Sequence, residues 1–271
     1  MKQDLRVALI VCSSVVGDTH ANLSKIEKWT GAAKQMGAEL ACFPELSATG
    51  YHVGKEINKV AETIPGRSSE QIAAIAKKHR ICVLAGIAEK TENCLYAAHV
   101  LAKPASGLAG IYRKLHIGPP EEKAFTPALE KPSLFELRGW RFGIQLCYDA
   151  HFPELSTSMA LSGADLIIIP HASPGKSPDE KLLSWMRHLP ARAFDNGVYI
   201  AAVNAVGKNG CGLSFPGAAV LLSPEGKILH QYKGDHETMV IADLSGEKLE
   251  AVRRHSMKYF LPHRRTDIYD I

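Results

Sequence analysis

Two nearly unbroken apolar runs constrain this chain more than anything else in it: LRVALIV over Leu5–Val11 and the stretch 165–169, DLIII. A strand with one wet face alternates apolar and polar residues. A strand that is apolar on both faces has to be covered from both sides. Between and around these runs lie stretches with helical periodicity. Asp18 or Thr19 caps one carrying Leu23, Ile26, Trp29 and Ala33, which ends near Gly37. Ser68 and Glu70 open another, through Ile72, Ile75 and Ala76. Residues 178–196 form a third, with Pro190 placed to kink or break it. Ser245 caps a short last helix running to Arg254.

Further strands are expected at 40–43, 81–87, 93–101, 111–117, 198–203 and 239–244, with Gly107 and Gly110 bracketing a turn. Hairpins are expected around Gly139 and around the turn SPEG at 223–226. Helices alternating with strands, with hairpins mixed in, argue for an α/β layered domain with one mixed sheet or two sheets. The chain shows no internal repeat, linker or low-complexity segment. Residues 1–271 therefore read as a single domain, with 256–271 as a polar, aromatic C-terminal tail.

The net charge of +4 comes with no long basic run, which speaks against nucleic acid as a partner. The apolar runs fall far short of a membrane span, so no membrane partner is expected. The apolar core near the N-terminus is too short for a signal peptide. Six cysteines without regular spacing suggest reduced thiols, and with them a cytoplasmic protein. Twelve histidines occur, none at a metal-ligand spacing, so no metal is expected.

The stretch 143–154, GIQLCYDAHFPE, is where the chain converges. Phe142, Ile144 and Leu146 alternate as a strand, and Pro153 and Glu154 fit the first turn of a helix. Cys147 thus stands on a strand-to-helix turn. Proximity to a helix N-terminus lowers a thiol pKa and is one way to make a nucleophile. The alternative is a buried structural cysteine. Cys12, Cys42, Cys82 and Cys94 sit in apolar runs and read as core.

Glu45 also ends a strand, in CFPEL, where α/β folds gather their sites. Alone it reads equally as a solvated turn acid. Lys114 lies inside GIYRKLHI, on one face with Tyr112 and His116, and alone reads as an edge-strand lysine. Together the three make chemical sense. A carboxylate takes the thiol proton and returns it to a leaving amine. The thiolate attacks a carbonyl and forms a thioester. An ammonium and the Tyr148 N–H stabilise the oxyanion.

These residues carry a resemblance to the nitrilase, or carbon–nitrogen hydrolase, superfamily that runs through almost the whole chain. FPEL at 43–46 with GY at 50–51 resembles its glutamate motif, YRKLHI at 112–117 its lysine motif, and CYDAHFPE at 147–154 its nucleophile motif. EKAFTP at 122–127 resembles the segment carrying a second active-site glutamate, which falls on Glu122, with the adjacent Glu121 as the alternative one residue earlier. The tail KYFLPHRRTDIY resembles the end of the amidase and carbamoylase branches. The resemblance implies a four-layer α-β-β-α sandwich with two mixed sheets, no cofactor and a homodimer or larger homo-oligomer. It implies Glu45, Lys114, Cys147 and Glu122 as the catalytic set. Where many relatives have an arginine four residues after the cysteine, this chain has His151.

Tyr51, Tyr148, His151 and His171 are the candidate substrate-binding residues. The expected reaction is hydrolysis of a small linear amide or N-carbamoyl compound, releasing ammonia or an amine. Nitrile hydrolysis and acyl transfer on the same site are the alternatives within the class, and a non-catalytic binding protein with this fold is the alternative outside it. Tyr148 and Asp149 after the cysteine favour the amide, since true nitrilases usually carry Trp-Glu there. His151, His171 and Lys176 are basic or titratable groups suited to a substrate carboxylate. Trp185 and Met186, read as exposed, suit an interface between copies.

Overall fold

A computed structural model describes residues 2–268, so residues 269–271 of the expected tail lie outside the described ones. The strands are β1 Leu5–Val11, β2 Leu40–Cys42, β3 Cys82–Lys90, β4 Leu95–Lys103, β5 Gly107–Arg113, β6 Phe135–Leu137 and β7 Trp140–Ile144. They continue as β8 Leu166–His171, β9 Tyr199–Asn204, β10 Gly207–Lys208, β11 Ser214–Phe215, β12 Gly217–Leu222, β13 Ile228–Gly234 and β14 Thr238–Leu244. The helices are α1 Thr19–Gln35, α2 Glu56–Val60, α3 Arg67–His79, α4 Pro153–Leu161, α5 Pro178–Met186, α6 Leu189–Asn196 and α7 Gly246–Arg254.

Twelve of these strands form two mixed six-stranded sheets, ordered β14-β1-β2-β3-β4-β5 and β13-β12-β9-β8-β7-β6, and β10 and β11 pair as a separate two-stranded ribbon. In the first, β1, β2 and β3 run parallel and their outer neighbours antiparallel. In the second, β7, β8 and β9 are the parallel centre. The unbroken run of β1 is explained by cover on both faces. Leu5, Val7, Leu9 and Val11 enter the core between the sheets. Ala8 and Ile10 pack outward against Leu23 and Ile26 of α1 and Ile72 and Ile75 of α3. Each such aliphatic side chain contributes roughly 1.5–3 kcal/mol on full burial. In β8, Leu166 through Ile169 are all buried, and the far face is covered by Leu155 and Met159 of α4 and by Leu189 and Ala193 of α6. The result is the α-β-β-α sandwich that the resemblance implied. No described helix is long and apolar enough to cross a membrane.

Local signals act as read in several places. The Asp18 side chain accepts from Ala21 N at the start of α1, and that of Ser245 accepts from Lys248 N at the start of α7. The helix expected over 178–196 is broken in two, with Pro190 in the first turn of α6, where its missing N–H costs nothing. Elsewhere the structure departs from the reading. The expected loop 47–65 contains α2. Gly110 lies within β5, not at a turn: a Cβ there would stand 2.3 Å from the ring of Phe135, so the residue serves close packing. β5 therefore starts and ends earlier than expected, and Lys114 falls just past its end. Trp185 is buried, not exposed, because it turns inward against His171. Cys94 is half-buried in a turn, unlike the core cysteines Cys12, Cys42 and Cys82.

Candidate active site

Glu45 leaves the end of β2 in a tight turn. The next residue, Leu46, takes a φ of 51°, a left-handed conformation that few non-glycine residues adopt. The turn is held against β3. Gly86 N donates to Ser47 Oγ at 3.1 Å, Ala88 N to Thr49 Oγ1 at 3.0 Å, and Ala48 N to the Gly86 carbonyl at 2.9 Å. Only glycine fits at 86, since a Cβ would lie 2.1 Å from Leu46 N and 2.9 Å from the Glu45 carbonyl carbon.

Lys114 follows β5, and its own N–H extends the ladder by donating to the Ala97 carbonyl at 2.9 Å. It is fully buried, not an exposed edge lysine. Its Nζ donates to Glu45 Oε1 at 2.9 Å and to both oxygens of Glu121 at 2.8 Å. Burial works against its charge, but Glu45, Cys147 and Glu121 outweigh that and raise its pKa. The group is therefore an ammonium at every working pH and not a base.

The second glutamate of this cluster is Glu121. Glu122, the residue expected there, is exposed. The cause is a 3-10 turn over Pro119–Glu121. With three residues per turn, neighbours point about 120° apart, so the residue after an inward one faces out. Gly118 N donates to Glu121 Oε2 at 2.9 Å and closes the turn. Tyr51, also buried, donates its hydroxyl to Glu121 Oε1 at 2.9 Å.

Cys147 lies three residues past the end of β7, opens a 3-10 turn over Cys147–His151 and takes a φ of 45°. A left-handed non-glycine residue at a strand-to-helix turn stores strain and lifts the side chain out of the strand line. The turn is pinned by Asp149, which is fully buried. Its carboxylate accepts from Leu146 N at 2.9 Å, His116 N at 2.8 Å and the Tyr112 hydroxyl at 2.8 Å. Arg192 of α6 holds the same turn from outside, donating to the carbonyls of Ala150 at 3.2 Å and His151 at 3.0 Å. Asp149 and Arg192 were not singled out for this role from the sequence. The first lies inside the nucleophile motif; the second gives no local signal.

The thiol corrects an expectation. Burial and then Glu45 push Cys147 up to about 12, with Lys114 and Lys181 opposing. The α-helix begins only at Pro153, so its dipole falls short of the thiol. The resting group is a thiol, so a role as nucleophile requires that its proton be removed. Glu45 is suited to that. Burial raises its carboxyl to about 7, with Glu121 adding to the rise, while Lys114 and the Ala172 N–H, 3.2 Å from Oε2, hold it down.

Of the expected substrate-binding residues, Tyr51 touches Glu121 as described. Tyr148 is half-buried, with its ring against His151 and Phe152. His151 is exposed, its ring centroid 4.6 Å from that of His188. His171 is buried 4.8 Å from Trp185, and neither ring nitrogen has a partner among the described residues. Lys176 is exposed. Beside Lys114, the cation whose charge is felt at Cys147 is Lys181 on α5, which the sequence did not single out.

A family model for carbon–nitrogen hydrolases matches residues 6–254. A nitrilase from Pyrococcus abyssi is 29% identical, with 98% of this chain and 99% of that protein covered. An (R)-stereoselective amidase from a Pseudomonas species is 30% identical over 92% of this chain and 88% of its own length. Among solved structures, an amidase from Nesterenkonia matches with a TM-score of 0.84 at 26% identity, covering 98% of this chain and 96% of that one. In the structure of a glutamate-to-glutamine mutant of that amidase, at TM-score 0.81 and 26% identity over 93% of this chain and 95% of that one, the acetamide moiety of fluoroacetamide is covalently added at the active-site cysteine. The chain belongs to the carbon–nitrogen hydrolase family, on the amidase-like side of the nitrilase superfamily.

Proposed function

We propose that this protein hydrolyses the carbon–nitrogen bond of a small linear amide or N-carbamoyl compound, with Cys147 as nucleophile. Glu45 takes the thiol proton as sulfur attacks the carbonyl carbon. The oxyanion that forms is met by Lys114 Nζ and the Tyr148 N–H. Glu45 then gives its proton to the departing nitrogen, the carbon–nitrogen bond breaks, and ammonia or an amine leaves a thioester on Cys147. Water, deprotonated by Glu45, attacks the thioester; the acid leaves and the thiol is restored. Glu121 replaces Glu122 in this reading as the carboxylate that fixes Lys114.

The observation that carries the proposal is one buried ammonium shared by two buried carboxylates, 2.8–2.9 Å from each, within electrostatic reach of the cysteine. A structural ion pair needs one carboxylate; two, beside a thiol on a strained turn, suit proton transfer. The cysteine adduct in the Nesterenkonia amidase supports the same assignment. The test is Cys147→Ala with intact-protein mass spectrometry. Ammonia release should vanish, and the wild-type protein trapped with substrate should carry one acyl group on the Cys147 peptide. Turnover in Cys147→Ala would overturn the mechanism.

The reading includes a homo-oligomer in the cytoplasm. Leu161 of α4 and Phe194 of α6 are exposed on neighbouring helices, and Phe260 stands beside Phe194 at 5.7 Å. Such a patch favours self-association, and light scattering at micromolar concentration measures it.

A further inference from the structure

We propose that Lys181 is a substrate-binding residue and that the preferred substrate is an amide whose acyl chain ends in a carboxylate. The inference rests on the hydrolase reading of the site and names the part of the substrate which that reading leaves open.

Lys181 sits half-buried in the first half of α5. Its Nζ lies 5.0 Å from the ring centroid of Trp185, one helical turn further along. Trp185 in turn packs 4.8 Å from His171. The residue after His171 is Ala172, whose N–H donates to Glu45. Two ring contacts therefore separate the Lys181 ammonium from the Glu45 carboxylate. Burial draws the Lys181 pKa down, and the charges of Cys147 and Glu45 act against that shift, so the ammonium lies within electrostatic reach of both. Among the described residues it has no ion-pair or hydrogen-bond partner. Lys114 is the contrast: its charge also acts on the thiol, but it is fully engaged by Glu45 and Glu121.

The groups around Lys181 are hydrogen-bonding and uncharged. Burial lowers the pKa of His171, and of His188 to about 4, so both are neutral imidazoles at working pH. Trp185 Nε1, both His171 nitrogens and His188 Nε2 have no partner among the described residues. A half-buried ammonium amid unpartnered donors fits a group with one negative charge and two acceptor oxygens. A phosphate dianion asks for more positive charge than one lysine supplies. The intervening rings set the carboxylate several bonds from the scissile carbonyl, at the far end of the acyl chain.

Lys181 has a competing use, which is to favour the thiolate of Cys147 directly. The two differ in what a matched substrate pair reports. The pair is the monoamide of a linear dicarboxylic acid of four to six carbons and the plain alkyl amide of the same length. Wild type should favour the carboxylate-bearing member in kcat/KM by about 10- to 100-fold, the scale of a hydrogen bond to a charged group. Lys181→Met should bring that ratio close to one, and Lys181→Glu should reverse it. A ratio near one in wild type overturns the proposal. So does a Lys181→Met ratio equal to wild type with both rates lowered, which assigns the lysine to the thiol. Calorimetry with glutarate on Cys147→Ala gives a readout without turnover. Adding Lys181→Met to that variant should weaken Kd about tenfold or more, and an unchanged Kd overturns the anchor. Lys181-dependent glutarate binding without amide turnover by wild type would refute the hydrolase reading alone and leave the carboxylate anchor standing.

Discussion

The Tyr112 hydroxyl donates to the Asp149 carboxylate at 2.8 Å, and this bond ties the strand that carries Lys114 to the turn that carries Cys147. Tyr112 lies two residues before the lysine, and Asp149 two residues after the cysteine. Both are buried, so the bond is not shared with solvent. His116, two residues beyond Lys114, brings its N–H and ring to the same carboxylate. One acid thus sets the position of an ammonium and a thiol drawn from different sheets.

Asp149→Asn puts an NH2 where three donors require an acceptor. A buried donor left without a partner costs about 1–3 kcal/mol, so urea denaturation should show a loss of that order or more. The turn should also drift, and a displacement of about 1 Å at a reacting group costs around 100-fold in rate. Tyr112→Phe removes one donor and leaves the rest, so its effect on both should be smaller. Wild-type kcat/KM in Asp149→Asn would show that the turn holds itself.

Glu121→Gln and Glu122→Gln separate the two adjacent acids. Glu121 receives Lys114, Tyr51 and Gly118, and its amide variant should lose at least about 100-fold in kcat, the usual scale for a displaced oxyanion donor. Exposed Glu122 should be replaceable with a change in stability within about 0.5 kcal/mol. The reverse pattern in steady-state rates would place the working acid one residue later.

The pH–rate profile should carry an acid limb set by Glu45. Its carboxyl is raised to about 7, chiefly by burial. A base is active only when deprotonated, so kcat/KM should fall about tenfold per pH unit below 7 and level off above it. Glu45→Gln should lose the limb together with most of the rate. The same shift acts on folding. A carboxyl whose folded pKa exceeds its unfolded one favours the folded state at low pH, and that contribution is lost as pH rises to about 7. A limb centred near 4 would show that Glu45 is not the titrating base.

Gly86→Ala should harm activity more than stability. The added Cβ meets backbone at 2.1 Å, and no rotamer relieves it. Overpacking of this kind costs roughly 1–3 kcal/mol. The atom it strikes is Leu46 N, adjacent to Glu45, so the displacement passes straight to the proposed base. A folded Gly86→Ala variant with wild-type kcat would disprove the link.

Much of this was legible in the residues. Continuous apolar runs told that β1 and β8 are covered on both faces, and caps at Asp18 and Ser245 marked helix starts. Alternation placed Tyr112, Lys114 and His116 on one face, and all three do turn to buried acids, Tyr112 and His116 to Asp149 and Lys114 to Glu45 and Glu121. What failed did so for identifiable reasons. Glu121 and Glu122 differ only in which way a 3-10 turn points them, and periodicity has nothing to say over three residues. The thiol pKa depends on burial and on Glu45, which come from distant parts of the chain. Lys181 lies on an amphipathic helix and looks like any solvated lysine until His171 and Trp185 are seen beneath it.

The hydrogen bond from Ala172 N to Glu45 crosses from the end of β8 to the end of β2, and so from one sheet to the other. Glu45 and Lys114 belong to the first sheet, Cys147 and Ala172 to the second. The proposed reaction centre is therefore a seam, assembled only while the two halves of the sandwich are docked. Catalysis then reports on that docking. Any partial opening that parts the sheets disconnects thiol from base while each sheet keeps its own ladder. In a denaturant titration, turnover should disappear before far-ultraviolet dichroism does, which makes activity the most sensitive gauge of how firmly the two layers hold together.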